Sequence, residues 1–381
     1  NLMADANNYL NRGNTREIGS QISTHSDLQL NAQTGNVNIR ASEINSDVGT
    51  VLIKAAQGDV NIMAGQNTDS IDVANKDKSK GFLSSTTRTT HIEKTDADNV
   101  ASNITGNRVL IGAGNNVNIQ GSNVVSDTLT WVDAKNDINI TAAENTDTNN
   151  QFFEVKKSGL MGTGGIGFMV GKTQNSLATD ATATTHTGSL IASNAGDVKL
   201  SAGNTLNIVG SDVLAANNAT LVADDVNIIN ETNRYTQTTE EKSKSSGLSV
   251  SLSGTVGNAA NTIYGVVKQA NDASDRGNDR LAAAYGTKAA LTAVQAGQSL
   301  YTDLSQTALA NQASQTSAIG VSVSVGSSKS QSNSTTTQTA TQGSNVSAGN
   351  NLTIIARGDG EKDANGFATN GDVNVVGSNL S

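Results

Sequence analysis

Residues 109–124 read VLIGAGNNVNIQGSNV, with short apolar runs at 109–111 and 117–119 on either side of small residues and an Asn pair able to turn. Side chains alternate faces along a strand, so Val117 and Ile119 point one way and Asn118 points the other. The stretch predicts a unit made of a turn, a short strand and a second turn. Copies of this unit occupy much of the chain.

The paired aliphatic residues recur at regular intervals. Val117 and Ile138 are separated by roughly 20 positions, as are Leu206 and Val226. We interpret this period as one coil of a right-handed parallel β-helix, and the shorter spacing from Val109 to Val117 as that of successive strands within one coil. The pairs predicted to form an interior scaffold ladder are Val60, Ile62, Val117, Ile119, Ile138, Ile140, Leu206, Ile208, Val226 and Ile228.

An Asn lies between the aliphatic residues in most copies of the unit, as at 38, 61, 118 and 139. Stacked coils would place these side chains in one outward-facing row. Such rows could bind cations or sugars, but Asn residues in stacked strands more often hydrogen-bond to their neighbours along the ladder. The row is therefore expected to be structural.

Composition supports a thin repeat structure. The 381 residues include 37 Gly but no Pro and no Cys, whereas average usage would give about 19 prolines. Pro is excluded where nearly every backbone N–H joins a ladder. The net charge of −9 predicts no basic field for nucleic-acid phosphates or anionic lipid surfaces, so nucleic acid is not an expected partner.

Three segments interrupt the coils, near 69–107, near 147–187 and from 234 onward. Each contains a Lys-Ser-Gly-apolar sequence, as in KSGL at 157–160 and KSSGL at 244–248. The shared sequence indicates one repeated element, a β-hairpin that leaves the rod.

The third hairpin has an insertion of its own. Period-2 strands at 247–257 and 319–326 flank it and should pair, which would place residues 258–318 at the hairpin tip. Leu281 and Tyr285, and then Leu300 and Leu304, have the i, i+4 spacing of helices. The predicted fold class is all-β, a right-handed parallel β-helix with extruding β-hairpins and a small α-helical insert. Its segments are a lead-in at 1–27, coils at 28–257, the helical insert at 258–318, a returning hairpin strand at 319–343 and terminal coils at 344–381.

The hairpins are candidates for membrane contact, because their sequences alternate apolar with small or polar residues as membrane-crossing strands do. The alternative is an auxiliary antiparallel sheet packed against the rod, since hairpins of soluble proteins show the same alternation. The candidate membrane-contacting residues are Phe82, Leu83, Phe152, Phe153, Leu160, Ile166, Phe168, Val170, Leu248, Val250, Leu252, Val321, Val323 and Val325.

No metal, cofactor or catalytic site is predicted. His25, His91 and His186 share no ligand spacing, and the chain lacks the Gly-Gly-x-Gly-x-Asp calcium repeat. A sugar-cleaving enzyme is the rival from another class, because such enzymes also use parallel β-helices. They need paired carboxylates and aromatic platforms, whereas this chain has one Trp and scattered acids, so no small-molecule substrate is expected.

The combined motifs resemble the second haemagglutinin-repeat region of filamentous haemagglutinins and contact-dependent growth inhibition exoproteins. The resemblance rests on the Val-Asn-Ile coils, the Glu-Asn-Thr ends such as 144–146, and the hairpin sequence KKSGL followed by GGIGF. It covers the chain from about residue 28 to its end.

The resemblance implies a secreted cell-surface protein with an outer-membrane transporter as its partner in two-partner secretion. In the toxin-delivering branch, which the insert sequence GNDRLAA at 277–283 also resembles, the segment would associate with the target-cell outer membrane or its proteins and help to deliver a C-terminal toxin. In the adhesin branch it would form a stalk for attachment to host or neighbouring cells.

Overall fold

The computed structural model describes residues 5–162, 167–253, 320–362, 364 and 369–381, and every regular element in these ranges is a β-strand. The predicted helical insert at 258–318 and Ile166 lie outside the described residues. In the described part of the chain, a search for a helix of membrane-spanning length and hydropathy finds none.

Twenty-seven strands are described. In chain order they are β1 (Tyr9–Thr15), β2 (Gln21–Thr24), β3 (Leu28–Ala32), β4 (Val37–Arg40), β5 (Glu43–Ser46), β6 (Thr50–Ala55), β7 (Val60–Met63), β8 (Gly65–Gly81), β9 (Ser84–Val100), β10 (Asn103–Ala113), β11 (Val117–Gln120), β12 (Asn123–Ala134), β13 (Ile138–Thr141), β14 (Ala143–Gly162), β15 (Gly167–Thr187), β16 (Leu190–Ser193), β17 (Asp197–Ala202), β18 (Thr205–Val209), β19 (Asp212–Ala215), β20 (Asn218–Ala223), β21 (Asp225–Ile229), β22 (Glu231–Ser253), β23 (Gly320–Gln342), β24 (Asn345–Ala348), β25 (Asn351–Ala356), β26 (Val373–Val376) and β27 (Asn379–Leu380).

Most short strands pair in parallel, in three columns. The first column contains β2, β5, the start of β10, the start of β12, β16, β19, β24 and β27. The second contains β3, β6, the end of β10, the end of β12, β17, β20 and β25. The third contains β4, β7, β11, β13, β18, β21 and β26. The chain visits the columns in this order, so each three-strand repeat stacks on the previous one.

The aliphatic residues of the third column form the centre of the core. Val117 pairs with Val60 on one side and Ile138 on the other, and all ten residues of the predicted scaffold ladder are 0% exposed. Val51, Ile53 and their counterparts in the inner repeats of the second column are buried in the same way. Short aliphatic side chains suffice because each repeat buries its apolar residues against neighbouring repeats.

The Asn row predicted from the sequence is a continuous hydrogen-bonded column. Each side-chain Nδ2 donates to the Oδ1 of the preceding Asn at 2.8 or 2.9 Å. The column contains Asn38, Asn61, Asn118, Asn139, Asn207, Asn227 and Asn374. These amides bind one another, as the structural interpretation predicts.

A second polar column lies at the corner between the third and first strand columns. Backbone N–H groups there donate to the Oγ of a Ser in the next repeat, for example Ser102 N to Ser122 Oγ at 3.3 Å and Ser122 N to Ser189 Oγ at 3.1 Å. These serines are almost fully buried. Where no ribbon leaves the stack at this corner, the residue before the Ser has a left-handed backbone conformation. Gly121 has φ 54° and Ala41 has φ 47°.

The hairpins leave the stack at this same corner. Three antiparallel ribbons form there, from β8 and β9, from β14 and β15, and from β22 and β23. The ribbons also pair with one another and with β1. The result is one seven-stranded sheet in the order β1-β8-β9-β14-β15-β22-β23, which we call the hairpin sheet. Two repeats separate successive ribbons and rise about 9.6 Å, the width of two strands at ~4.8 Å spacing. The width of each ribbon therefore equals the rise between successive ribbons, and neighbouring ribbons can pair edge to edge.

The observed strand bounds differ from those expected. The first ribbon runs from Gly65 to Val100 and the second starts at Ala143, earlier than 69 and 147, because the Asn- and Thr-rich residues taken as coil ends already pair across the ribbon. Residues 103–107 belong to β10 in the stack. The lead-in segment contains β1, which pairs with β8, and β2, which starts the first column.

Candidate functional site

The seven-stranded hairpin sheet is the candidate site, because it exposes large apolar side chains that do not pack in the core of the stack. Directly paired residues of antiparallel strands point to the same face, so the register assigns each residue to a face. We call a row of mutually paired residues across the strands a rung.

One rung near the end of the ribbons is wholly apolar. It consists of Leu160, Val170, Leu248 and Val325. The next rung on the same face contains Phe168, Val250 and Val323. Val321 lies in the rung after that, on the same face. We call this surface the apolar tip face. Val325 is 81% exposed and Val323 is 63% exposed, so the side chains face solvent.

The opposite face of the same strands is more polar. Its rung beyond the tip of the first hairpin contains Met161, Met169, Ser249 and Ser324. The hydroxyls of Ser249 and Ser324 are 2.7 Å apart and hydrogen-bond across the strands. The end of the sheet is therefore amphipathic, with one apolar face and one face of hydroxyls and thioethers.

A rung of glycines, Gly159, Gly171, Gly247 and Gly326, separates the outer end of the sheet from the rest. A Cβ on Gly171 would lie 2.1 Å from the carbonyl oxygen of Ser246, a separation too short for any side chain. The first hairpin ends at this level, where the Leu160 N–H donates to the Leu83 carbonyl oxygen at 2.9 Å. Among the strands that the structure describes, β14, β15, β22 and β23 continue beyond it.

The structure gathers part of the predicted contact set. Leu160, Phe168, Val170, Leu248, Val250, Val321, Val323 and Val325 all belong to the apolar tip face. Phe82 and Leu83 form the turn of the shorter first hairpin, where Phe82 is 89% exposed. Phe152 and Phe153 lie in mid-strand and, as consecutive residues, point to opposite faces. Leu252 pairs with Val321.

The inner part of the sheet is ionic. His91 Nε2 lies 2.9 Å from an oxygen of Asp72, and this hydrogen bond holds the pKa of Asp72 below its usual value. Asp69, Asp96 and Asp147 share a rung. Burial and then the neighbouring charge of Asp96 raise the pKa of Asp147. Among the described residues, no group of His, Asp and Glu is arranged to hold a metal ion.

Sequence reasoning missed two features of this region. It did not assign the pairing between neighbouring hairpins, which joins the ribbons and β1 into one sheet. It also did not assign the buried serine column, although Gly-Ser pairs at 121–122, 210–211 and 377–378 stand at the same place after each strand. That recurrence was the available signal.

Stacked parallel strands and a sheet of side-by-side hairpins define a repeat protein built of β-strands. The hemagglutinin repeat family matches residues 6–91, 83–178, 170–322 and 325–381, and the chain belongs to this family. No solved structure matches the chain.

Several curated relatives are similar over most of the chain. The "tRNA nuclease CdiA" of Escherichia coli (strain STEC_O31) is 36% identical over 334 residues, which is 87% of this chain and 10% of the relative. The "16S rRNA endonuclease CdiA" of Enterobacter cloacae is 36% identical over 86% of this chain and 9% of the relative. The "Deoxyribonuclease CdiA" of Yersinia pseudotuberculosis is 41% identical over 70% of this chain and 23% of the relative. The chain spans about a tenth of the length of the first of these relatives.

Proposed function

We propose that the chain is the toxin-delivery segment of a secreted contact-dependent growth inhibition exoprotein, and that its hairpin sheet associates with the outer membrane of a target bacterium. The observation that carries the proposal is the apolar tip face. Its large aliphatic side chains are exposed on strands that extend beyond the stack, and within the described residues they do not belong to the hydrophobic core. Exposed contiguous apolar surface is typical of protein or membrane contact.

The segment itself is proposed to be non-enzymatic. The relatives that share it are named for three different activities, on tRNA, on 16S rRNA and on DNA. A segment common to proteins with different substrates is better suited to a shared step than to substrate choice. Delivery of the toxin is such a step.

We further propose that each three-strand repeat is one coil of a right-handed parallel β-helix. Two observations support this geometry. The chain visits the three columns in a fixed order, and each strand pairs in parallel with the strand of the same column in the next repeat. In the secreted protein, such a rod would hold the sheet away from the producing cell. An outer-membrane transporter of two-partner secretion is the proposed export partner.

The test compares two variants of the full-length protein. Replacing Leu160, Val170 and Leu248 with Ser removes part of the apolar tip face and should abolish inhibition of target cells while leaving attachment to them intact. Replacing Met161 and Met169 with Ser changes the opposite face of the same strands and should leave inhibition near the parent level.

Each outcome discriminates between functions. If the three-Ser variant still inhibits target cells, the delivery role of the apolar tip face is wrong. If it instead loses attachment, the segment acts as an adhesin stalk. Circular dichroism of both variants checks that the strands still form.

A further inference from the structure

We propose that a band of lysines beside the apolar tip face binds the phosphate groups of anionic lipid headgroups at a membrane surface. The inference rests on the proposed function and specifies its lipid partner. The net charge of −9 predicts no basic field for anionic lipids, but that sum averages over the whole chain. The fold concentrates lysines from five ribbon strands in one part of the sheet.

One rung of the sheet carries four lysines. In strand order it reads Lys78, Thr87, Lys156, Gln174, Lys244 and Lys329. The adjacent rung towards the tip adds Lys80 and Lys172. We call these six residues the lysine band, and all six side chains are exposed. Five of them, all except Lys80, border an open cleft of about 810 Å³.

The lysine band and the apolar tip face lie on the same face of the sheet. Lys156 and Leu160 are four residues apart on β14, and Lys172 and Val170 are two apart on β15, and even separations keep a side chain on one face. At ~3.4 Å per residue the lysines lie about 7 and 14 Å behind the first apolar rung. Neither lysine rung contains an acidic residue, and no other rung of this face separates them from the first apolar rung.

The band is not explained by folding. Lys244 and Lys329 are directly paired, and like charges at paired positions destabilise a sheet. Lys156 has a carboxylate partner, Glu154, at 2.6 Å. Within the described ranges, Lys78, Lys172, Lys244 and Lys329 form no ion pair. Apart from the Glu154 carboxylate beside Lys156, the positive charge of the band is not balanced by an ion pair in the described part of the chain, and it is complementary to an external anionic surface.

The geometry favours a lipid surface over other anions. Interfacial segments bury an apolar face ~5–10 Å below the headgroups, and long Lys side chains then reach back to the phosphates. Here the apolar rungs would enter the membrane and the lysine band would lie at the phosphate level. Single-stranded nucleic acid would need aromatic stacking platforms, and neither lysine rung contains an aromatic residue.

The test measures co-sedimentation of the full chain with vesicles. Vesicles of phosphatidylcholine containing phosphatidylglycerol are compared with pure phosphatidylcholine at equal ionic strength. Replacing Lys78, Lys156, Lys244 and Lys329 with Gln should weaken binding to the anionic vesicles on the order of 1,000-fold and leave the weak binding to neutral vesicles unchanged. The matched control replaces four lysines outside the sheet, Lys54, Lys135, Lys199 and Lys362, with Gln.

Four results would overturn the inference, and the first three concern vesicle binding. They are equal binding by parent and band variant, an equal loss in the control, and complete competition by inorganic phosphate at constant ionic strength, which would make the band a small-anion site. A preference for RNA over anionic vesicles would do the same.

The proposed function fails separately. Lysine-dependent binding to vesicles together with full inhibition by the three-Ser variant would refute delivery through the tip and keep the lipid site. If the three-Ser variant loses inhibition while the variant of the lysine band binds vesicles as the parent does, the lipid site is refuted and delivery through the apolar tip face is kept.

Discussion

Replacing Asn139 with Ala in the middle of the amide column should destabilise the stack by about 1.5 kcal/mol, the loss of two partly compensated hydrogen bonds. Asn139 donates to Asn118 at 2.9 Å and accepts from Asn207 at 2.8 Å. Each lost hydrogen bond costs about 1 kcal/mol, and the half-buried partners recover part of this from water. Asn38, at the end of the column, makes one such bond and is exposed, so its replacement with Ala should cost about 0.5 kcal/mol.

Urea unfolding followed by fluorescence measures this difference. The chain has one Trp, Trp131 on β12, in the same repeat as Asn139, so its signal reports the unfolding of that repeat. A repeat stack need not unfold in two states, and Asn38 lies three repeats from Trp131, so far-ultraviolet circular dichroism, which reports all repeats, is recorded beside the Trp signal for both variants. Equal destabilisation by the two replacements would refute the view that the amides stabilise as a column.

Three further predictions concern single positions. Ala41→Gly should stabilise the chain by about 0.5–1 kcal/mol in thermal unfolding, because φ of 47° strains Ala, whereas Ala101→Gly at the equivalent place after a ribbon should destabilise it. Burial raises the pKa of Asp212, so the folded state takes up a proton more readily than the unfolded state and gains stability as pH falls towards 4. The Asp212→Asn variant should be more stable than the parent by roughly a few tenths of a kcal/mol at pH 7 and should lose this pH dependence. Gly171→Ala should cost about 1–3 kcal/mol through its clash with a neighbouring backbone, whereas Gly326→Ala, with no atom within 4 Å of the added carbon, should be tolerated. Proteolysis at the outer end of the sheet would detect this last contrast.

The sequence was sufficient for features that depend on local alternation. The Val-Asn-Ile triplets predict both the buried aliphatic ladder and the outward Asn column, because a strand period of two fixes which side chains point inward. The recurring chain interval that separates Leu206 from Val226 corresponds to a direct parallel pair. The turn residues before each strand mark its start.

Features that depend on pairing between distant segments were not predictable. Nothing in residues 84–100 indicates that they pair with 146–159, because both sequences are polar and suit many registers. Without that register, Phe152 and Phe153 looked equivalent to Leu160, although only Leu160 belongs to the apolar tip face. The lysine band has the same origin, since its residues come from β8, β14, β15, β22 and β23.

The match between two stacked repeats and one two-stranded ribbon also limits how such a protein can lengthen. A third repeat inserted between two ribbons would move them about 4.8 Å apart and leave a gap one strand wide in the hairpin sheet. Length can therefore change without breaking that sheet only by whole modules of two repeats and a ribbon. Residues two repeats apart, such as Val109 and Val198, mark one such module, and duplication or deletion that preserves the surface should exchange units of this kind.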